Sequence, residues 1–292
     1  MAKILIVVAN MDVGGVRTHI RALTKYITAH EWSILDLSQY GRFERYIAVW
    51  RMAKGFDIIN NQGTGVGLVV GKLRGKRTVE TVHNVYSHLT WIHRLHYRLC
   101  LKFADVVCTY CEEIKRYSEQ TFGAKDVVLF PHCVELVDEA KRRRHGPICA
   151  VGRLVEQRRF AEIIDTYRIY GDGRPLVVVG GGPLRSQLIS HSLGSNVLFT
   201  GPCSNPIPII AECALAVVLT DKAAGIPLAA LESMSLGVPT VTVLAEFVEA
   251  LRILRTRPTV LRHLGDYQRE YVRRAHNPER FALTTQRIYE GV

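Results

Sequence analysis

The 292-residue sequence has no long hydrophobic run. Its longest apolar stretches, such as residues 4–9 and 214–219, have about 6 residues, whereas a membrane-spanning helix needs about 20. No charged segment, apolar segment and cleavage site precede the first strand-like run, so no secretory leader is predicted. We therefore expect a cytoplasmic protein that does not span the membrane.

Cysteine pairs are also scarce, because only Cys108 and Cys111 among the seven cysteines form a C-x-x-C pair. A structural zinc site would need a second pair or well-spaced histidines, and the nearby histidines lack the i, i+4 spacing of a helical site. A disulfide-rich fold would be short and secreted. We expect reduced thiols and no metal.

Acidic residues are fewer than basic ones, with 27 Asp and Glu against 38 Lys and Arg, which gives a net charge of +11. Residues 1–144 hold 22 basic and 14 acidic side chains, and residues 145–292 hold 16 and 13. A basic surface attracts nucleic acid, acidic lipid headgroups and phosphorylated substrates alike. Charge alone does not distinguish these three kinds of partner, but the sequence has no nucleic-acid-binding motif that would support nucleic acid.

Strand-like and helix-like segments alternate along both halves of the chain. The run at residues 3–9 is typical of a strand buried on both faces of a parallel sheet, and a helical pattern follows Gly14-Gly15. Further strand-like runs are 56–59, 77–82, 106–108, 127–130, 148–151, 176–179, 197–199, 215–219 and 238–244. The alternation predicts an α/β protein with two doubly wound, Rossmann-like parallel-sheet domains.

A basic stretch at residues 141–147 interrupts this pattern, and we interpret it as a linker rather than a nucleic-acid-binding tail. The first domain is placed at residues 1–143 and the second at 144–275. The remainder, 276–292, is predicted to hold a helix at about 278–290 that crosses back onto the first domain.

Three glycine-containing turns follow strands, where open α/β sheets bind ligands. They are Gly14-Gly15, Gly152-Arg153 and Gly180–Pro183, and none is a G-x-G-x-x-G motif. Arg153 and Arg158 are suited to clasp a diphosphate, and a helix predicted from Pro227 to Leu236 would add free amides. Glu232 in that helix could accept hydrogen bonds from a ribose diol. On spacing alone, solvated surface charges explain these residues equally well.

Segments in order across nearly the whole chain resemble the GT-B nucleotide-sugar glycosyltransferases, and specifically the retaining glycosyltransferase family four. They are GGVRTH, TVHNVY, ADVVCTYCEEIKRY, VVLFPHCVE, VGRLVEQRRF, VVVGGGPLRSQL, VLFTG and AGIPLAALESMSLGVPTV. The resemblance implies a GT-B fold whose two domains face across a cleft. It implies metal-independent hexosyl transfer, with retention, from a UDP- or GDP-sugar to a hydroxyl of a glycan or lipid-linked acceptor. It implies no cofactor and no nucleic-acid partner.

The resemblance also implies roles for individual residues. Arg153 and Arg158 would hold the donor diphosphate, and Arg158 stands where the family usually has lysine. His83 would lie beside the donor sugar, and these three are the predicted catalytic residues. Glu232 would bind the ribose. The other predicted nucleotide contacts are Gly14, Gly15, Gly181, Gly182, Gly201, Gly225, Ile226 and Leu228.

The chain departs from the family pattern at three places. Ala224 replaces a glutamate that usually contacts the transferred sugar, and losing such a partner costs about 1–3 kcal/mol. Pro131-His132-Cys133 stands where Pro-Asn-Gly is common, and the glycine-rich loop expected after Val241 is absent. The alternative is therefore a catalytically weak or inactive nucleotide-binding scaffold of the same fold.

The segment at residues 91–99 mixes aromatic, basic and apolar residues at helical spacing. Two interpretations stay open. In one, Ile92, Leu95 and Leu99 form the core face of a helix whose arginines are solvated. In the other, the basic N-terminal domain uses this helix on an anionic membrane surface, which suits a peripheral enzyme with a lipid-linked acceptor.

Overall fold

The computed structural model describes residues 1–11, 14–83, 90–136, 146–220 and 225–290, which fold into two compact α/β units. The first consists of the described residues of 1–133 and 278–292 with Gly225, and the second of those of 134–222 and 226–277. The predicted boundary at 143/144 and most of the predicted linker lie outside the described residues.

The elements alternate along both units, as the sequence predicts. In chain order the described strands are β1 Lys3–Val8, β2 Glu31–Asp36, β3 Ile58–Gln62, β4 Arg77–Thr81, β5 Val106–Thr109, β6 Val128–Leu129, β7 Ile148–Val151, β8 Leu176–Val179, β9 Val197–Gly201, β10 Leu215–Val217 and β11 Thr240–Val241. The described helices are α1 Gly14–Tyr26, α2 Glu44–Ala53, α3 Val66–Leu73, α4 Trp91–Leu101, α5 Glu112–Tyr117, α6 Phe160–Tyr170, α7 Arg185–His191, α8 Ile207–Ala211, α9 Leu228–Ser235, α10 Leu244–Thr256, α11 Pro258–Ala275 and α12 Pro278–Glu290. None of these helices is long and apolar enough to cross a bilayer.

The first unit is built on a parallel sheet in the order β2-β1-β3-β4-β5-β6. Side chains of β1 are buried on both faces of this sheet. Ile4 and Ile6 belong to the core formed with α1 and α12, whereas Leu5 and Val7 belong to the core formed with α2 and α3. The continuous apolar run therefore forms a central strand, covered on both sides by helices.

Helix α12, at the end of the chain, packs on the first unit. Its Phe281 side chain is fully buried in the core with α1. The Arg77 guanidinium of β4 donates to the carbonyl oxygens of Ile288 and Tyr289, at 2.9 and 3.0 Å. These carbonyls lie in the last turn of the helix, where backbone acceptors lack helical partners, so Arg77 acts as a C-terminal cap.

The second unit is built on a parallel sheet in the order β11-β10-β7-β8-β9. Strand β7 therefore has β8 on one side and β10 on the other. The chain adds β8 and β9 on one side of β7, then crosses over to add β10 and β11 on the other side. Such a topological switch point opens a crevice at the carboxyl edge of the sheet, where ligands of doubly wound folds bind.

The face of helix α4 that packs in the core is not the face that the sequence pattern suggests. The interpretation of Ile92, Leu95 and Leu99 as its core face is wrong, because these side chains are exposed. The buried side chains are Tyr97, Cys100 and Leu101. Both stripes are largely apolar, so the periodicity did not identify which of them packs on the sheet.

Candidate functional site

Arg158 lies across the switch point of the second sheet. It ends a short 3₁₀ turn over Glu156–Arg158 that follows β7. Its Nη1 donates to the carbonyl oxygen of Leu219, two residues beyond the end of β10, at 3.2 Å. Because β7 and β10 are neighbours, this hydrogen bond holds the guanidinium over the carboxyl edge between them.

Arg153 follows β7 by two residues at the same edge. Its side chain is exposed and makes no hydrogen bond or ion pair with any residue that the structure describes. The backbone of its turn is fixed, because the Leu154 amide donates to the Gly181 carbonyl at 2.9 Å. An unpaired guanidinium on a fixed turn is well suited to hold an anion.

The glycine turn after β8 supports the Arg153 turn by close packing. A Cβ on Gly180 would lie 2.0 Å from the Gly152 carbonyl oxygen, and one on Gly182 would lie 2.5 Å from that of Leu154. Only glycine allows these two turns to approach so closely. Gly181 and Gly182 thus have a structural role, whereas their predicted contact with the nucleotide stays a prediction.

The start of α9 lies at the same edge, because α9 follows β10. Gly225, with a left-handed φ of +67°, and Ile226 lead into the helix, which has no side-chain cap. Within the described ranges, no acceptor faces the amides of Leu228 and Ala229. Free amides and the positive end of the helix dipole favour an anion here. The predicted contact Ala224 lies outside the described residues.

Glu232 lies one turn further along α9. Its side chain is partly buried, and no residue in the described part of the chain donates to its carboxylate. Burial raises the pKa of Glu232 to about 7. A partly desolvated carboxylate without a partner is a strong acceptor for the hydroxyls of a diol.

Three other predicted nucleotide residues lie outside the β7–β10 edge of the second sheet or belong to the first unit. Gly201 ends β9, which is two strands from β7 and so about 10 Å away at the usual strand spacing. Gly14 and Gly15 form the first turn of α1 in the first unit. A Cβ on either would meet no described atom within 4 Å.

His83 follows β4 in the first unit, and both of its ring nitrogens have partners. Nε2 lies 2.5 Å from Oε1 of Gln62, and Nδ1 lies 3.0 Å from the Tyr110 hydroxyl. Since Gln62 Oε1 only accepts, Nε2 carries the proton and Nδ1 accepts from the hydroxyl. Burial lowers the pKa of His83 to about 3, so the ring is neutral at physiological pH.

A chain of buried side chains connects His83 to the C-terminal helix. The Gln62 amide nitrogen donates to Asn60 Oδ1, and the Asn60 amide nitrogen donates to the Tyr289 hydroxyl of α12. Asn60 and Gln62 lie beyond the predicted strand, which ends at residue 59, and so were not among the predicted site residues. Their signal is the run of three amides at 60–62, since polar side chains in a buried strand must find partners.

Among the described residues, two further histidines lie near His83. The His132 ring stacks on Tyr110, with centroids 4.1 Å apart and planes at 10°. The His19 ring of α1 lies edge-on to His83 at 5.6 Å. Burial, followed by the nearby His83 and His132 rings, lowers the pKa of His19. His132 belongs to the segment where the chain departs from the family pattern, so this departure contributes a ring to the cluster.

Two Rossmann-like units with these parallel sheets form the GT-B glycosyltransferase fold, and solved structures share it. Anabaena HepE in complex with UDP and glucose matches with a TM-score of 0.80 at 13% identity, over 100% of both chains. The lipopolysaccharide outer core galactosyltransferase WaaB matches with a TM-score of 0.69 at 16% identity, also over 100% of both chains. At these identities the likeness establishes the fold alone.

The comparison with protein-family models gives a more specific match than the fold does. Residues 146–288, just under half of the chain, match the model of glycosyl transferases group 1. A curated relative, the amylovoran biosynthesis glycosyltransferase AmsD of Erwinia amylovora, is 22% identical over 154 residues. The match covers 49% of this chain and 44% of AmsD, so it spans less than half of that relative.

Proposed function

We propose that this protein transfers a hexose from a UDP-sugar to a hydroxyl of a glycan or lipid-linked acceptor, with retention and without a metal or other cofactor. The observation that carries the proposal is the hydrogen bond from Arg158 to Leu219 across the switch point of the second sheet. It places a guanidinium at the edge where Arg153 and the start of α9 offer further donors to a diphosphate. The likeness to HepE in complex with UDP and glucose supports uridine as the base.

The chemistry follows from the charge that develops on the donor. As the bond from the anomeric carbon to the diphosphate breaks, negative charge builds on the departing oxygen. Arg153, Arg158 and the first amides of α9 would stabilise this charge in a site fixed before the reaction. The acceptor oxygen would bond to the same face of that carbon while its proton passes to the departing diphosphate. Glu232 would hold the ribose.

The first unit would receive the acceptor and contribute His83 beside the transferred sugar. Because the pKa of His83 is about 3, the ring would act as a neutral hydrogen-bonding group rather than as a proton donor. Its Nε2 is held by Gln62, so a sugar hydroxyl would reach the ring by replacing the Tyr110 hydroxyl at Nδ1. The basic excess of this half of the chain also suits work at an anionic membrane surface.

Donor turnover tests the proposal. Purified protein is incubated with UDP-hexoses and simple glycan acceptors, and UDP release is measured alongside UDP affinity. We expect turnover that is lost in Arg153→Ala, and proton NMR of the product should show the anomeric configuration of the donor. UDP binding without turnover across the donor panel would favour the inactive scaffold that Ala224 suggests. Absence of UDP binding would reject both.

A further inference from the structure

Helix α4 carries an apolar stripe that faces solvent. Trp91, Ile92, Leu95 and Leu99 are 73%, 56%, 48% and 48% exposed. At about 100° per residue, these four side chains fall within an arc of about 100° on one side of the helix. The opposite side is packed in the core of the first unit. Four large apolar side chains on one exposed arc indicate an interaction surface.

Basic side chains border this stripe. Arg98 and Lys102 are exposed and lie next to it at i, i+4 spacing. Neither side chain makes a hydrogen bond or ion pair with the described residues. Residues 91–103 contain no acidic side chain. An apolar stripe beside unpaired cations is the pattern of a helix that lies in the interface of a membrane.

The exposed apolar and basic surface continues onto the helices next to α4. Helices α2, α3 and α4 pack in succession against one face of the first sheet. Helix α2 exposes Ile47 and Trp50, and the Arg74 guanidinium lies 3.8 Å from the Trp50 ring centroid. Leu73, at the end of α3, is also exposed. Apolar and basic groups thus recur across this side instead of being confined to one helix.

We propose that this side of the first unit, centred on α4, docks on an anionic membrane surface. Trp91, Leu95 and Leu99 would enter the boundary between headgroups and acyl chains, where tryptophan is favoured. Arg98 and Lys102 would contact acidic headgroups while their stems lie along the apolar surface. Each basic side chain near such a surface raises the affinity about fivefold.

Charge favours an anionic bilayer over a second copy of this chain. A symmetric dimer through α4 would bring the cations of the two copies together, and like charges across an interface oppose association. Docking deepens the proposed function by naming the surface that would present a lipid-linked acceptor. Docking through α4 involves no residue of the proposed donor site, so the docking proposal and the proposed transferase function can fail independently.

Vesicle binding tests the docking proposal. The full chain is sedimented with phosphatidylcholine vesicles that contain or lack phosphatidylglycerol, and UDP affinity is measured on the same samples. We expect binding to the anionic vesicles only. Trp91→Ser combined with Leu95→Ser should weaken it at least tenfold, and Arg98→Ser combined with Lys102→Ser should weaken it about 25-fold. UDP affinity should stay unchanged in both variants.

A matched control removes exposed apolar side chains elsewhere. Ile169 and Leu193 in the second unit are 72% and 75% exposed, and Ile169→Ser combined with Leu193→Ser should leave vesicle binding intact. Equal loss in the control and the α4 variants would overturn the proposal, as would equal binding to neutral and anionic vesicles. If the protein does not bind vesicles but forms a dimer that the α4 variants dissociate, the surface would instead be the contact with a second copy of the chain. Binding of the full chain to an acidic protein but to neither kind of vesicle would also overturn the docking proposal.

Discussion

Gln62 Oε1 accepts the Nε2 proton of His83 at 2.5 Å, and this contact sets the state of the histidine ring. With Nε2–H directed at Gln62, Nδ1 is left as the acceptor. Gln62 is itself held through Asn60 by the hydroxyl of Tyr289. The orientation of His83 therefore depends on side chains that no substrate needs to touch.

Gln62→Leu tests this positioning role. Leucine leaves the Nε2–H of His83 without an acceptor, a loss of about 1–3 kcal/mol that the ring can avoid only by turning. We expect kcat to fall tenfold or more while UDP affinity stays unchanged, because Arg153, Arg158 and Leu228, which are proposed to hold the diphosphate, all lie in the second unit. Steady-state kinetics and calorimetric titration with UDP measure the two effects.

Two further variants control the Gln62 experiment. Gln39→Leu makes the same change at an exposed position and should leave kcat unchanged. Gln62→Glu restores an acceptor and adds a negative charge beside His83, so it should raise the pKa of the ring and make kcat depend more strongly on pH than in the unmodified protein. An unchanged kcat in Gln62→Leu would remove Gln62 from any positioning role.

Arg153→Ala should weaken UDP binding tenfold or more. A charged hydrogen bond contributes about 1.5–3 kcal/mol, and Arg153 has no partner in the described part of the chain that would offset the loss. The matched control is Arg159→Ala, because Arg159 lies close by in sequence and pairs with Glu162. Calorimetry should show an unchanged affinity in this control. Equal losses in the two variants would indicate a general effect of charge instead of a specific contact.

Glu232 should make donor binding depend on pH. The pKa of Glu232 is raised to about 7, so its carboxylate ionises as the pH rises from 6 to 8. The ionised form accepts hydrogen bonds from hydroxyls more strongly, so affinity should increase with pH. UDP-glucose is the suitable probe because its diphosphate does not titrate in this range. Glu232→Gln should abolish the dependence, and a slope that persists in this variant would assign it to another group.

Gly182→Ala and Gly15→Ala should differ in their effect on stability. A Cβ on Gly182 would lie 2.5 Å from the Leu154 carbonyl oxygen, so we expect the free energy of unfolding to fall by about 1–3 kcal/mol. A Cβ on Gly15 meets open space in the first turn of a helix, so stability should be kept. Urea unfolding measures both, and equal stability of the two variants would contradict the close packing of the glycine turns.

The strongest sequence patterns predicted their elements well. The strand at 176–179 and the helix at 278–290 are confirmed with the bounds that the sequence suggests, and α9 begins and ends within one residue of its prediction. Of the strand predicted at 238–244, only residues 240–241 are confirmed, and Leu244 already begins α10. Apolar runs mark buried segments, but they do not distinguish the end of a strand from the start of a buried helix.

The contacts of the site were harder to predict than its residues. Arg158 was found through its position in a motif, whereas its bond to Leu219 depends on β10 lying beside β7, and strand order is a property of the whole fold. His19 and Gln62 carry no local signal of meeting His83. His19 lies in α1, Gln62 ends β3 and His83 follows β4, and the packing of the first unit brings the three side chains together.

A crystal structure with UDP bound tests most directly whether the second unit holds a nucleoside diphosphate at its switch point. We expect the diphosphate oxygens to lie within hydrogen-bond distance of the guanidiniums of Arg153 and Arg158 and of the Leu228 amide, with the ribose hydroxyls at Glu232. UDP bound elsewhere, with these four groups left in solvent, would contradict the proposed donor site.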